Sequence, residues 1–258
     1  MTVANLEGFL DLLNDSPNNW EKIYKRRARI HALRVNGEKW ETEYLFDLSK
    51  GEFKTLTSKD FHMQERGDSL ILFYPSKKVL PKYLDKLPED KFWFSEIPAW
   101  RNTSGFANEL AQVSYQSDVE PLPRNASLLT FHPFIQYKNI ENYLIVLNVI
   151  KDPIIESGPI YLFDSKTLEL RGIEQIQTNS VSTIALDKYG FQPTDLPIFY
   201  SPKIAGIPFG LGIKKDNSML SLEHTHPPAS FVLFGDRRKV QGTIKKSWIE
   251  KLSKNVPN

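Results

Sequence analysis

Residues 207–226 read IPFGLGIKKDNSMLSLEHTH. Two apolar runs, Ile207 to Ile213 and Met219 to Thr225, flank the polar stretch Lys214 to Ser218, where Asp216 and Asn217 favour a turn. That arrangement predicts a β-hairpin. With a strand's period of two, Leu220, Leu222, His224 and His226 share one face, and Met219, Ser221, Glu223 and Thr225 the other. Pro227 and Pro228 lack N–H donors, so the strand is expected to end beside the histidines. Two imidazoles would then stand at a strand end, a position from which scaffolds commonly present chemistry.

The same alternation runs through much of the chain. Ile30, Ala32, Leu33 and Val35 lead into Asn36-Gly37, a strong hairpin signal, followed by Trp40, Thr42 and Tyr44 to Leu48. A further turn at Lys50-Gly51 and the run Phe53 to Leu56 suggest a three-stranded meander. Leu70 to Tyr74, Leu128 to Phe131, Tyr143 to Ile150, Ile160 to Phe163, Leu168 to Leu170, Ile173 to Ile176, Val181 to Leu186 and Phe231 to Phe234 are further strand candidates. YLIVLNVI, from Tyr143, reads as a central strand buried on both faces. Helical spacing is expected in Leu6, Phe9, Leu10 and Leu13, and again after Ser16-Pro17 with Trp20, Ile23 and Tyr24. A helical piece is expected from Val79 to Leu87, and a C-terminal helix bearing Ile244, Trp248, Ile249 and Leu252. The predicted class is mainly β (α+β): an antiparallel sheet or β-sandwich of many short strands, with helices at the N- and C-termini. The predicted organisation is one compact domain over 1–258, in which 1–90 could stand as an N-terminal sub-lobe.

Composition narrows the chemistry. The 258 residues contain no cysteine, which excludes disulfides, thiolate nucleophiles and thiolate metal sites. Thirty-three basic against 31 acidic side chains give a net charge of +2, too balanced for a dedicated polyanion binder. The basic clusters at Lys25 to Arg29 and Arg237 to Lys239 read as solvated, and no nucleic-acid partner is expected. The N-terminus carries acids among its apolar residues, unlike a signal peptide, and no segment reaches the roughly 20 apolar residues of a membrane helix. These features predict a cytoplasmic protein with no membrane partner.

No Walker loop, dinucleotide fingerprint, nucleophile elbow or H-E-x-x-H motif is present. His224-Thr225-His226 resembles the H-x-H core of the cupin metal motif. The glutamate that motif carries a few residues later is replaced here by Pro227, Pro228, Ala229 and Ser230, so the likeness stops at the pair. Alternate histidines on a strand lie about 6.6 Å apart, near enough to converge on a divalent metal such as zinc. His132, beside Pro133 at another strand end, is the candidate third ligand, ahead of Asp118 and Glu223. A second candidate surface lies between Phe92 and Pro123, where Trp100 and Arg101 could stack on or ion-pair with a ligand and Tyr115, Gln116 and Asp118 could hydrogen-bond it.

The leading reading is a ligand- or partner-binding accessory protein, its partner a small molecule, a glycan or a protein. One alternative is a metal-assisted or histidine-dependent enzyme centred on His224 and His226. Another is a structural or assembly component.

Overall fold

The structure, a computed structural model, describes residues 6–14, 27–60, 70–89, 102–116, 119–131, 139–191, 195–224 and 237–257. Among these, sixteen strands form four antiparallel sheets of four strands each, and one α-helix lies near the C-terminus. The chain divides into two compact units, Met1–Glu120 with Lys151–Ile154, and Pro121–Ile150 with Ile155–Asn258.

The first unit contains β1 (Glu7–Asn14), β2 (Ala28–Asn36), β3 (Lys39–Leu48), β4 (Glu52–Thr57), β5 (Leu72–Ser76), β6 (Tyr83–Leu84), β7 (Thr103–Ala107) and β8 (Gln112–Gln116). Its sheets run β4-β1-β7-β8 and β5-β2-β3-β6. Leu12 and Leu56 from one sheet and Ala28, Ile30 and Leu48 from the other form one buried cluster, so the two sheets pack face to face. Asn36 pairs with Lys39 across the hairpin, and Gly37 takes the positive φ, +64°, that this tight turn requires.

Three local expectations are corrected here. The helix expected over Leu6 to Leu13 is instead β1, paired with β4 on one side and β7 on the other. Leu10 and Leu12 also satisfy a period of two. For so short a run, two ladders of backbone hydrogen bonds with a shared core outweigh a marginal helical preference. The meander breaks after β3, because β4 crosses to pair with β1. The stretch Val79 to Leu87 is extended around β6 rather than helical. The helix expected after Ser16-Pro17 lies outside the described residues, so helix is established near the C-terminus alone.

The second unit contains β9 (Leu128–Phe131), β10 (Ile140–Asn148), β11 (Ser157–Asp164), β12 (Leu170–Gln177), β13 (Ser180–Ala185), β14 (Pro197–Ser201), β15 (Ile207–Lys214), β16 (Leu220–His224) and the helix α1 (Arg237–Leu252). The sheets run β13-β10-β15-β16 and β12-β11-β14-β9. Leu144, Val146 and Ile184 from the first meet Leu128, Ile160, Leu162, Ile176 and Phe199 from the second in a shared core. The expected central strand from Tyr143 is β10, flanked on both sides. β14 was not singled out from sequence, lying in a stretch rich in proline that reads as helix-breaking; Pro197 is accommodated as the first residue of the strand.

Alternation also places α1. While Ile160, Leu162 and Phe199 point into the shared core, Phe163, Ile198, Tyr200 and Leu129 pack with Leu252 on the opposite face. Trp248 stands edge-on to Phe131, ring centroids 5.1 Å apart. The C-terminal helix thus docks through Trp248, Ile249 and Leu252 of its apolar stripe, while Ile244 is exposed.

Candidate functional site

Among the described residues β16 is the last strand of its sheet, and its pairing with β15 fixes which way each side chain points. Leu220 lies opposite Ile213, Leu222 opposite Leu211, and His224 opposite Phe209. Continuing across the sheet, Phe209 faces Ile145 and Leu211 faces Tyr143, while Gly210 and Pro208 fall opposite the core residues Leu144 and Val146. β15 and β16 therefore turn all their large apolar side chains away from the core shared with the second sheet. On the core side they carry Pro208, Gly210, Gly212, Ser221 and Glu223. A strand that served only to close the core would have the opposite polarity.

The resulting shelf is apolar at one end and acidic at the other. Phe209, Leu220, Leu222 and His224 are half-buried, and the rings of Phe209 and His224 lie 5.1 Å apart. Leu211 and Ile213 are buried. Along the same face, the Tyr143 hydroxyl donates to Glu141 Oε2 at 2.9 Å. Burial, reinforced by that bond to a carboxylate, pushes the Tyr143 phenol up to about 12. Asp187, in the turn after β13, is held above the usual carboxylate range, first by loss of solvent and then by the charge of Glu141. The Asn142 amide and Lys215 pull it partly back.

The other sequence candidates are distributed as follows. Tyr115 and Gln116 lie on β8, the last strand of its sheet in the first unit; Tyr115 is half-buried opposite Ser104, and Gln116 is exposed opposite Thr103. Trp100, Arg101, Asp118, His132 and His226 lie outside the described residues. Among the described residues no three His, Asp or Glu side chains gather in a group able to hold a metal ion. No described helix is long and apolar enough to cross a membrane. Tyr143, Glu141 and Asp187 were not singled out from sequence: Glu141 and Tyr143 reach the face of β16 through cross-strand register, and Asp187 feels the charge of Glu141 from the turn after β13, none of them through a local motif. The one available signal was the period of two in β10, which sets Glu141 and Tyr143 together. Comparison with family models, with curated proteins and with solved structures finds no match to this chain.

Proposed function

We propose that this chain is a partner-binding β protein and that β16, with the half-buried side chains Leu220, Leu222 and His224 and Phe209 beside them, is its contact surface. The observation that supports this most is the inverted polarity of β15 and β16, which spend their large apolar side chains on the face away from the core. β16 also pairs on one side alone among the described residues. Natural edge strands are usually blunted with lysine or proline, whereas residues 220–224 carry neither and have Glu223 as their single formal charge. An extended peptide segment of a partner protein would add its backbone to this edge, set alternate apolar side chains beside Leu220, Leu222 and His224, and direct a basic residue toward Glu141 and Asp187.

The test is selection of peptides from a random display library on the full chain, followed by amide shift mapping with a selected peptide. The expected result is that shifts concentrate in β15 and β16 and that Leu222→Lys weakens binding at least tenfold with an unchanged circular dichroism spectrum. Peptides that bind elsewhere and ignore Leu222→Lys would overturn the reading.

A further inference from the structure

The sheet order β5-β2-β3-β6 puts β5 on one edge and β6 on the other, so the six residues 77–82 that join them must cross the sheet's face. Each strand they cross holds them. Arg29 of β2 donates through Nη1 to the Lys77 carbonyl. The Leu80 N–H donates to His31 Nε2 at 3.1 Å. On β3, the Thr42 hydroxyl donates to the Pro81 carbonyl at 2.7 Å and the Thr42 N–H to the Lys82 carbonyl at 2.8 Å. The crossing segment is a strap.

His31 lies beneath it, fully buried. A backbone N–H can only donate, so the imidazole Nε2 facing Leu80 must carry a lone pair. The proton is then on Nδ1, which donates to the Arg29 carbonyl at 3.1 Å. The ring is neutral, in one tautomer, with both nitrogens engaged. The pairing of β2 with β3 is irregular at this point, shifting register between Ile30 and His31, the kind of bulge that re-aims a side chain. Tyr44 of β3 and Tyr74 of β5 lie opposite His31 on either side, the Tyr44 ring edge-on at 5.6 Å.

We propose that His31 is a proton-operated latch: neutral, it fastens the 77–82 strap across the sheet, and protonated, it releases it. Protonation puts a hydrogen on Nε2, which then points at the Leu80 N–H, donor against donor. That bond is lost, and a buried cation is left under the strap. The charged groups acting on the ring are Arg29 on its own strand and Asp47 on β3; Tyr44, which donates to Asp47 Oδ1 at 3.0 Å, and Tyr74 flank it, and the strap carries Lys77, Lys78 and Lys82. Burial, the largest influence, holds the imidazole below its ordinary value; the backbone contacts with Arg29 and Tyr74 pull it part of the way back, and the weaker positive charge of Arg29 pushes it down against Asp47. The strap is therefore closed at neutral pH and opens on acidification below the ordinary imidazole range. Opening would uncover His31, fully buried beneath the strap.

The experiment is a pH titration of the full chain from 7.5 to 4.5 by NMR. It follows the His31 ring nitrogens and, in the same samples, amide exchange at Leu80 and Thr42 corrected for the intrinsic pH dependence of exchange. The expected result is an Nδ1–H tautomer at pH 7.5 and a drop of at least tenfold in Leu80 protection that tracks His31 protonation, with the β1–β4 ladder unchanged. His31→Gln, whose side-chain oxygen can accept from Leu80 but cannot take up a proton in this range, should keep Leu80 protected throughout. Protonation of His31 without loss of Leu80 protection would overturn the latch, and this wild-type readout decides the matter even if the variant does not fold. Loss of protection at the same pH in a folded His31→Gln protein would equally overturn it.

Discussion

Asn148 uses both ends of its amide inside the second unit. Its Nδ2 donates to the Ala205 carbonyl at 2.7 Å and its Oδ1 accepts from the Asn179 N–H at 2.9 Å. Asn179 in turn accepts from the Ile150 N–H at 2.8 Å, from a backbone at φ +51° that asparagine tolerates better than most residues. Replacing Asn148 by alanine strands a buried carbonyl and a buried N–H. We expect a loss of about 2 to 5 kcal/mol, read as a lower urea midpoint with an unchanged slope. Asp187 makes the converse case, since its carboxyl is raised by burial and by Glu141. A group whose folded pKa lies above its unfolded value favours the fold while protonated and forfeits that stability as pH rises through the folded value. Asp187→Asn should therefore raise the melting midpoint at pH 7 and leave it nearly unchanged at pH 3, where the native side chain is already neutral. Thermal scans at the two pH values check this. The opposite sign applies to His31: its contribution is complete above about 6.5, declines below that, and is lost once pH passes the depressed folded value.

At the scale of elements, close approach and two-sided burial set the tolerances. A Cβ added at Gly105 of β7 would collide with the Val113 carbonyl and meet Ser114 Cα at 2.8 Å, both backbone atoms of the neighbouring strand β8. Because backbone cannot swing aside, Gly105→Ala should force β8 from β7 and cost about 1 to 3 kcal/mol. Hydrogen exchange would show it as lost protection in Gln112 to Gln116. The helix α1 depends on its last turn, where Leu252 is fully buried against Phe163, Ile198 and Tyr200. Leu252→Ala should cost about 2 to 5 kcal/mol by opening a cavity, and deuterium uptake should rise first in α1 and in β11 and β14 beneath it.

For the molecule as a whole, the order of the chain matters as much as its composition. Trp40, fully buried in the first unit, donates through Nε1 to the Lys151 carbonyl at 3.0 Å, and the Leu87 N–H bonds the same carbonyl at 3.0 Å. That acceptor belongs to the short return Lys151–Ile154, which follows β10 of the second unit. A fragment ending at residue 120 lacks it and leaves two donors unanswered. We expect such a fragment to be markedly less stable than the first unit of the full chain, as shown by urea unfolding followed through tryptophan emission. Topology also sets the folding rate: Leu10 of β1 pairs with Ser104 of β7, and Leu129 of β9 with Tyr200 of β14. Such distant pairings place refolding in the range of about milliseconds to seconds, measurable by stopped-flow fluorescence.

The sequence by itself determined what repeats locally. Period-two patterning identified the Asn36-Gly37 hairpin, the central strand β10, the β15–β16 hairpin and the shared face of Leu220, Leu222 and His224; the stripe through Trp248 and Leu252 identified α1. Each of these depends on neighbours along the chain and on turn chemistry within it. Tertiary structure decided the rest. Leu10 and Leu13 fit a helix as well as Leu10 and Leu12 fit β1, and only β4 and β7, arriving from far along the chain, resolve that choice through their hydrogen-bond ladders. It was register, too, that carried Glu141 and Tyr143 onto the face of Leu222, and sheet order that drew residues 77–82 over His31. Both are relations between strands distant in sequence, and no residue's local preference encodes them, because the free energy that selects them exists only once the partners have met.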